Sequence, residues 1–378
     1  MPKLEFCVGH SDDPDVDDAV DEAADQALAQ LIGEPKALLV FSGTSYDDQE
    51  LLSCVRKRFG AVPMIGCTTD GELSTQAFSH DGVLITLLSG QAIEDVRVGM
   101  GQNLEADPWA AVAQASAEMP ASPALVLSTP SSLRSNLDET MRALQARFED
   151  APIVGGASGD RVEFTKAREF ANGVSHADSI PLMAIYGDIE VGLGVASGWR
   201  PSGHTWVATR AEGNIVYELD GRPALQTMEA WLGSAETSVT IEFPLAVYPE
   251  GADGKFYLRA VYSVDKETGA IRFPAEVPQG SSVRVTRATH DGVLSGADQA
   301  VQQAMSEMSG PADGCLVFSC TARKWMLGTR AEEERQHILS QTKAPIAGFY
   351  GFAELGPLGE LGASIHNQTC VAVGLRGL

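Results

Sequence analysis

Positive charge is scarce in this chain. Its 378 residues carry 27 Lys and Arg against 51 Asp and Glu, a net charge of −24. A surface this acidic repels phosphate backbones and anionic headgroups, which argues against nucleic acid and membranes as partners. A small ligand received by a local basic residue stays compatible. Long apolar runs are missing too. The longer ones, such as Val83-Leu84-Ile85 with Leu87-Leu88, are strand-sized against the roughly 20 residues that span a bilayer. The opening MPKLEFCVGHSDDPD lacks the apolar centre of a secretory leader, so the expected location is cytoplasmic. Paired cysteines are absent as well. Cys7, Cys54, Cys67, Cys315, Cys320 and Cys370 are dispersed, with no CxxC or CxxCH, a pattern that suits a reducing compartment rather than a disulfide framework or a zinc ribbon. There is no P-loop, and Gly99-Met-Gly101 and Gly192-Leu-Gly194 do not extend to the GxGxxG of a dinucleotide fold.

What is present is an internal repeat. ALLVFSGTS (37–45) leads through a helical stretch to VPMIGCTTDGELS (62–74) and DGVLITLLSG (81–90). ALVLSTPSS (124–132) leads likewise to APIVGGASGD (151–160) and SIPLMAIYGD (179–188). CLVFSCTAR (315–323) leads to APIAGFYGFAELG (344–356) and NQTCVAVGLR (367–376). Apolar runs of four to seven bounded by Gly and Pro read as buried strands. Between them, Leu137, Met141, Leu144 and Phe148 share one helical face. The expected fold is therefore α/β (α+β): repeated strand–helix–strand–strand units in mixed sheets. The Pro-hydrophobic-x-Gly segments read as turns, and their Gly-, Ser- and Thr-rich ends are expected to face a shared cleft.

Val96-Arg-Val-Gly and Val283-Arg-Val-Thr each precede a helical stretch, which suggests two related halves. Residues 199–282 have no counterpart earlier and read as an antiparallel, β-rich insertion. The composition change at Gly198-Trp199-Arg200-Pro201 places a domain boundary there, giving domains 1–200 and 201–378. The acidic stretch from Ser11 reads as a helix with Asp in its first turn and Ala19, Ala23, Ala27 and Leu31 on one face. It is no calcium loop, because the sixth and twelfth positions from Asp13 hold Asp18 and Ala24 rather than Gly and Glu.

Reactive side chains gather around the third repeat. Cys320 and Arg323 follow its first strand, Glu354 lies in its turn, and His366 and Asn367 precede its last strand. Read as a binding site, Arg323 pairs with a carboxylate and Glu354 or Asp160 meets an ammonium. Read as an enzyme, Cys320 is a nucleophile and His366 its base. His204, between Trp199 and Trp206, is the candidate axial ligand if a haem is bound.

In this order, VPMIGCTTDGELS, IVGGASGD, LDGRPAL, LVFSCTAR, GFYGFAELGP and HNQT resemble the FIST proteins (F-box and intracellular signal transduction). The likeness runs from about residue 35 to the C-terminus. It implies a FIST N-type domain followed by a FIST C-type domain. The expected role is sensory: binding a small ligand, with amino acids proposed, and signalling through a partner. One bacterial branch that this chain resembles in size binds haem, senses nitric oxide and regulates histidine kinases. That branch implies haem as a cofactor and a histidine kinase as partner, with His204 the first candidate axial residue and His366 the second. The chain departs from the family pattern at Asp70, where Ala is usual, and at Ala353, where Gly is expected before the Glu.

Overall fold

Both faces of the three apolar repeat strands are buried, and this dictates the architecture. A strand buried on both sides needs a second sheet across one face and helices across the other. A computed structural model describes residues 3–132, 136–161, 163, 165–233, 242–248, 254, 256–358 and 362–378. In unit one, a leading strand (Glu5–Ser11) and helix (Val16–Leu28) precede the central strand (Ala37–Ser42). A helix (Asp48–Phe59), a companion strand (Met64–Thr68), a hairpin (Glu72–Ser74 and Phe78–Ser79) and a closing strand (Val83–Ser89) follow.

Unit two repeats that order. Its leading strand is Ile93–Gln102, its central strand Leu125–Ser128 and its companion strand Ile153–Gly156; its hairpin is Glu169–Ala171 with Val174–His176, and its closing strand is Ser179–Gly187. Unit three does so with Ile189–Ala196, Gly314–Cys320, Ile346–Gly351, Glu354–Pro357 with Ala363–His366, and Cys370–Gly377. The fold is α+β. In each unit the central and companion strands are parallel, and the closing strand runs antiparallel between the leading and central strands.

The hairpins are exchanged in a closed cycle. That of unit one extends the sheet of unit three, with Glu72 opposite Phe349 and Leu73 opposite Gly348. That of unit two extends unit one, with Glu169 opposite Cys67 and Phe170 opposite Gly66. That of unit three extends unit two, with Glu354 opposite Gly156 and Leu355 opposite Gly155. The register is the same each time, so the molecule has approximate threefold symmetry. The exchange also covers the open edge of every companion strand. The three sheets share one apolar core, in which Phe349 packs 4.6 Å from Phe41 and 5.5 Å from Phe318 between ring centres. Helices cover each outer face. Asn136 caps the helix Leu137–Phe148, whose buried face includes Leu137, Met141, Leu144 and Phe148 as the spacing predicts. Asp15 caps the acidic helix and Asp17 and Asp18 sit in its first turn; it ends at Leu28, so Leu31 lies beyond it.

Three expectations are revised. The Pro-hydrophobic-x-Gly segments are strand starts, not turns. Pro63, Pro152 and Pro345 each accept a hydrogen bond from the neighbouring central strand. Their glycines sit inside the parallel pair, where a Cβ would lie 1.7 Å from the Val40 carbonyl oxygen at Gly66 and 1.8 Å from those of Ser128 and Val317 at Gly155 and Gly348. The strand of Val283 (Ser282–Arg287) is not the counterpart of the strand of Val96. It belongs to the inserted sheet, and Ile189–Ala196 takes the counterpart's place. The turns do not line an open cleft either. They interlock through Asp70 N–H to Tyr350 O, Gly159 N–H to Thr68 O and Ala157 N–H to Ala353 O, at 2.8, 2.9 and 2.8 Å.

The chain leaves unit three after Ala196 and enters the inserted antiparallel sheet at Arg200–Glu212, which has its own apolar core. It returns after Ser282–Arg287 into the helix His290–Ser306. The strand before the insertion, Ile189–Ala196, pairs along its length with the C-terminal strand Cys370–Gly377. Buried Arg259 anchors the insertion to the units by donating to the Ile365 carbonyl at 3.0 Å and to Asp138 at 3.2 Å.

Candidate functional site

Each exchanged hairpin opens with a glutamate. Glu72, Glu169 and Glu354 stand at equivalent register positions and are all fully buried. A carboxylate out of water needs donors to stay charged, and its pKa rises where they fall short. Glu72 accepts from Thr69 Oγ1, Ser79 Oγ and, at 2.9 Å, the Gly82 N–H, with both oxygens used. Glu169 accepts from Ser158 Oγ at 2.6 Å and from the Ser179 N–H and Oγ at 3.2 and 3.0 Å, again with both oxygens used. Burial pushes Glu72 up to about 7 and Glu169 to about 8 against the opposing pull of these hydroxyls.

Glu354 breaks the pattern. Its Oε2 accepts from the Thr369 N–H at 3.1 Å and Thr369 Oγ1 at 2.7 Å, while its Oε1 accepts no hydrogen bond. The sequence gives the reason. Thr69 and Ser158, which serve the other two glutamates, stand three residues after Gly66 and Gly155; the residue three after Gly348 is Gly351, which has no hydroxyl. No larger residue fits there, since a Cβ on Gly351 would lie 2.3 Å from the Ala157 carbonyl oxygen. Burial holds Glu354 at about 8. Next in the chain after His366, the cross-strand partner of Glu354, the fully buried Asn367 has neither its Oδ1 nor its Nδ2 partnered. Leaving buried polar groups unpaired costs roughly 1–3 kcal/mol each, so these atoms are held at the expense of stability.

The structure brings Cys320, Glu354, His366 and Asn367 together, as the sequence anticipates. Glu354 and His366 are direct cross-strand partners, and the Cys320 N–H donates to Thr369 O at 3.0 Å. The Cys320 thiol lies against Glu354; burial first, then that carboxylate, push it far above the usual thiol range. His366 donates from Nε2 to Pro357 O at 3.1 Å, and burial with the Arg259 charge lowers it to about 4.

Three other candidates are placed elsewhere. Arg323 does not face a ligand. It is fully buried against Glu334 at 2.9 and 2.7 Å, and its remaining donors hold Ser197 O and, at 2.8 Å, Val293 O. Tyr350 donates to the other Glu334 oxygen at 2.7 Å. Asp160 is buried in the turn of unit two, not beside Glu354. It accepts from the Thr165 and Lys166 N–H groups at 2.7 and 2.8 Å and lies near Asp70. His204 is on the inserted sheet with its side chain 65% exposed, edge-on to Trp206 and 3.7 Å from Asp220.

Sequence reasoning missed Glu72, Glu169 and the Asp70–Lys324 contact. A signal existed for the first, because Gly66 to Glu72 and Gly348 to Glu354 are equally spaced. The long excursion between Asp160 and Glu169 hides the second. Asp70, raised by burial to about 6, receives the Thr321 hydroxyl and the Arg161 N–H, and Lys324 Nζ donates to its carbonyl. Two grooves, of about 340 and 270 Å³, lie at corresponding places in units one and two, where the helices run into the companion strands. Neither is lined by a histidine or by a member of the glutamate trio.

The three interlocked units thus carry buried polar turns at their strand ends. Residues 36–222 match the FIST N domain and residues 224–357 the FIST C domain, and the chain belongs to the FIST family, whose domains are sensory, ligand-binding modules of signalling proteins. It is 28% identical over 384 residues to an uncharacterized protein of Mycobacterium tuberculosis, covering 94% of this chain and 95% of that one. A Mycobacterium bovis protein, also uncharacterized, is 26% identical at the same coverage. An uncharacterized protein of Methanocaldococcus jannaschii is 35% identical over 75 residues, 20% of this chain and 15% of that protein. No described helix is long and apolar enough to cross a membrane, and no cluster of metal-ligating side chains occurs among the described residues.

Proposed function

We propose that this protein is a cytoplasmic sensor that binds a small polar ligand at the third-unit turn and signals to a partner protein such as a histidine kinase. The observation that carries this reading is the set of orphaned atoms on Glu354 and Asn367, at a position where the other two units complete their carboxylates internally. Unsatisfied polar groups that are this fully buried are what a ligand would satisfy.

A route for the signal supports the reading. Cys320 directly precedes the short helix Thr321–Leu327, and Arg323 in its first turn grips Ser197 and Val293. These are the points where the chain departs for the inserted sheet and comes back from it. A ligand that favours one placement of Cys320 and Glu354 would bias the insertion through Arg323, and a partner would read the insertion.

Catalysis by Cys320 and His366 is less well supported. The thiol is pushed up rather than down, and burial lowers His366 to about 4, which makes it a weak base. The residues present do not fit a haem either, since His204 stands on an exposed strand face and His366 is enclosed and engaged. A thermal-shift screen of small polar compounds tests the sensor. A stabilising compound whose effect disappears in Glu354→Gln supports it; stabilisation unchanged in that variant contradicts it.

A further inference from the structure

The unpartnered atoms also specify what the ligand offers, on the premise that the third turn is the ligand site. Among the described residues the other deeply buried cations and anions nearby are matched: Arg323 with Glu334 and Arg259 with Asp138. Glu72 and Glu169 have no counter-ion but use both oxygens. Glu354 makes no ion pair among the described residues, lacks a full set of donors, and its neighbouring thiol is a weak donor. The free groups are Glu354 Oε1, an acceptor once an approaching cation keeps Glu354 ionised, Asn367 Oδ1, also an acceptor, and one donor, Asn367 Nδ2. The nearby guanidinium forks able to clamp a carboxylate are committed: Arg323 to Glu334 and two carbonyls, Arg259 to Asp138 and backbone carbonyls.

We infer that the third turn binds a small protonated amine bearing one neutral acceptor, an amino alcohol or amino amide. Its ammonium is directed at Glu354 Oε1 and Asn367 Oδ1, and its hydroxyl or carbonyl oxygen at Asn367 Nδ2. A charge-assisted N–H to carboxylate bond is about twice as strong as a neutral one, so the ammonium supplies most of the discrimination. A carboxylate on the same ligand would be buried without a cation, which disfavours zwitterions.

Isothermal titration calorimetry on the full chain, with ethanolamine as the probe, tests this. Ethylene glycol, acetate, tetramethylammonium and glycine are the comparisons, all at fixed ionic strength. Ethanolamine is expected to bind at least ten-fold more tightly than each of the four. Glu354→Gln, which keeps the side-chain shape, should weaken it at least ten-fold with an unchanged near-UV circular dichroism spectrum, and Asn367→Leu should weaken it as well. Glycine binding as tightly as ethanolamine, or Glu354→Gln binding ethanolamine like the parent, overturns the inference. Glycine or ethylene glycol binding that is lost in Asn367→Leu would keep the site and remove the amine. No binding by any of the five compounds overturns the amine class and counts against the site as well.

Discussion

Asn367 and Glu354 carry the account at the residue scale, and each makes a distinct demand on stability. Asn367 keeps both ends of its amide unpaired in the interior. Replacing it by Leu removes those orphans while retaining volume, so Asn367→Leu is expected to unfold at the same or a higher temperature than the parent. A loss of several degrees would show that the amide has protein partners after all. Cys320 gives a second prediction. Its raised thiol should react with iodoacetamide only as fast as the protein opens, and rapid labelling under native conditions would revive the nucleophile reading. The gathering of Cys320, Glu354, His366 and Asn367 was legible in the sequence because the repeat fixes which strand ends meet. The partner of Arg323 was not. Glu334 lies one helix further on, and nothing in residue spacing tells which face that helix turns inward.

At the scale of elements, the central, companion and closing strands were readable because burial on both faces leaves continuous apolar runs such as LLVF and CLVF. The exchanged hairpins were not. Their strands are as short as two or three residues in units one and two, too brief for any period to show. The leading strand of unit one, Glu5–Ser11, was not read as a strand because its apolar stretch, Phe6-Cys7-Val8, is short and flanked by Glu5, His10 and Ser11. The structure explains the recurrent glycine better than the sequence could: it is the price of bringing a parallel strand against a carbonyl. Gly348→Ala therefore forces backbone movement and should cost about 2–4 kcal/mol in a denaturant titration, in the range of overpacked core sites. Cutting the Arg323–Glu334 pair with Arg323→Met should cost about 3–5 kcal/mol, because Glu334 is left buried and uncompensated. A cost below about 1 kcal/mol would mean that the pair does not hold the roots of the inserted sheet.

Across the whole molecule, the three glutamates tie stability to pH. Each is held above the ordinary carboxylate range in the folded chain, at about 7, 8 and 8. Between the unfolded value near 4.5 and these values the folded chain holds more protons than the unfolded one, so this contribution falls as pH rises. It is fully present below about pH 4.5 and lost by about pH 8. His366, lowered to about 4, acts in the opposite sense: its contribution is present above about pH 6.5 and is lost as pH falls towards 4. Glu354→Gln is uncharged at every pH, so its stability relative to the parent should climb between pH 5 and pH 8 by on the order of a few kcal/mol. A flat difference would mean that Glu354 is ionised throughout.

The threefold design also supplies the sharpest control, because two of its three turns are complete and one is not. A compound found to raise the melting temperature should be tested on Glu72→Gln, Glu169→Gln and Glu354→Gln side by side. The account predicts that the shift survives in the first two and vanishes in the third. A shift that survives in Glu354→Gln, or fails equally in all three, would contradict it.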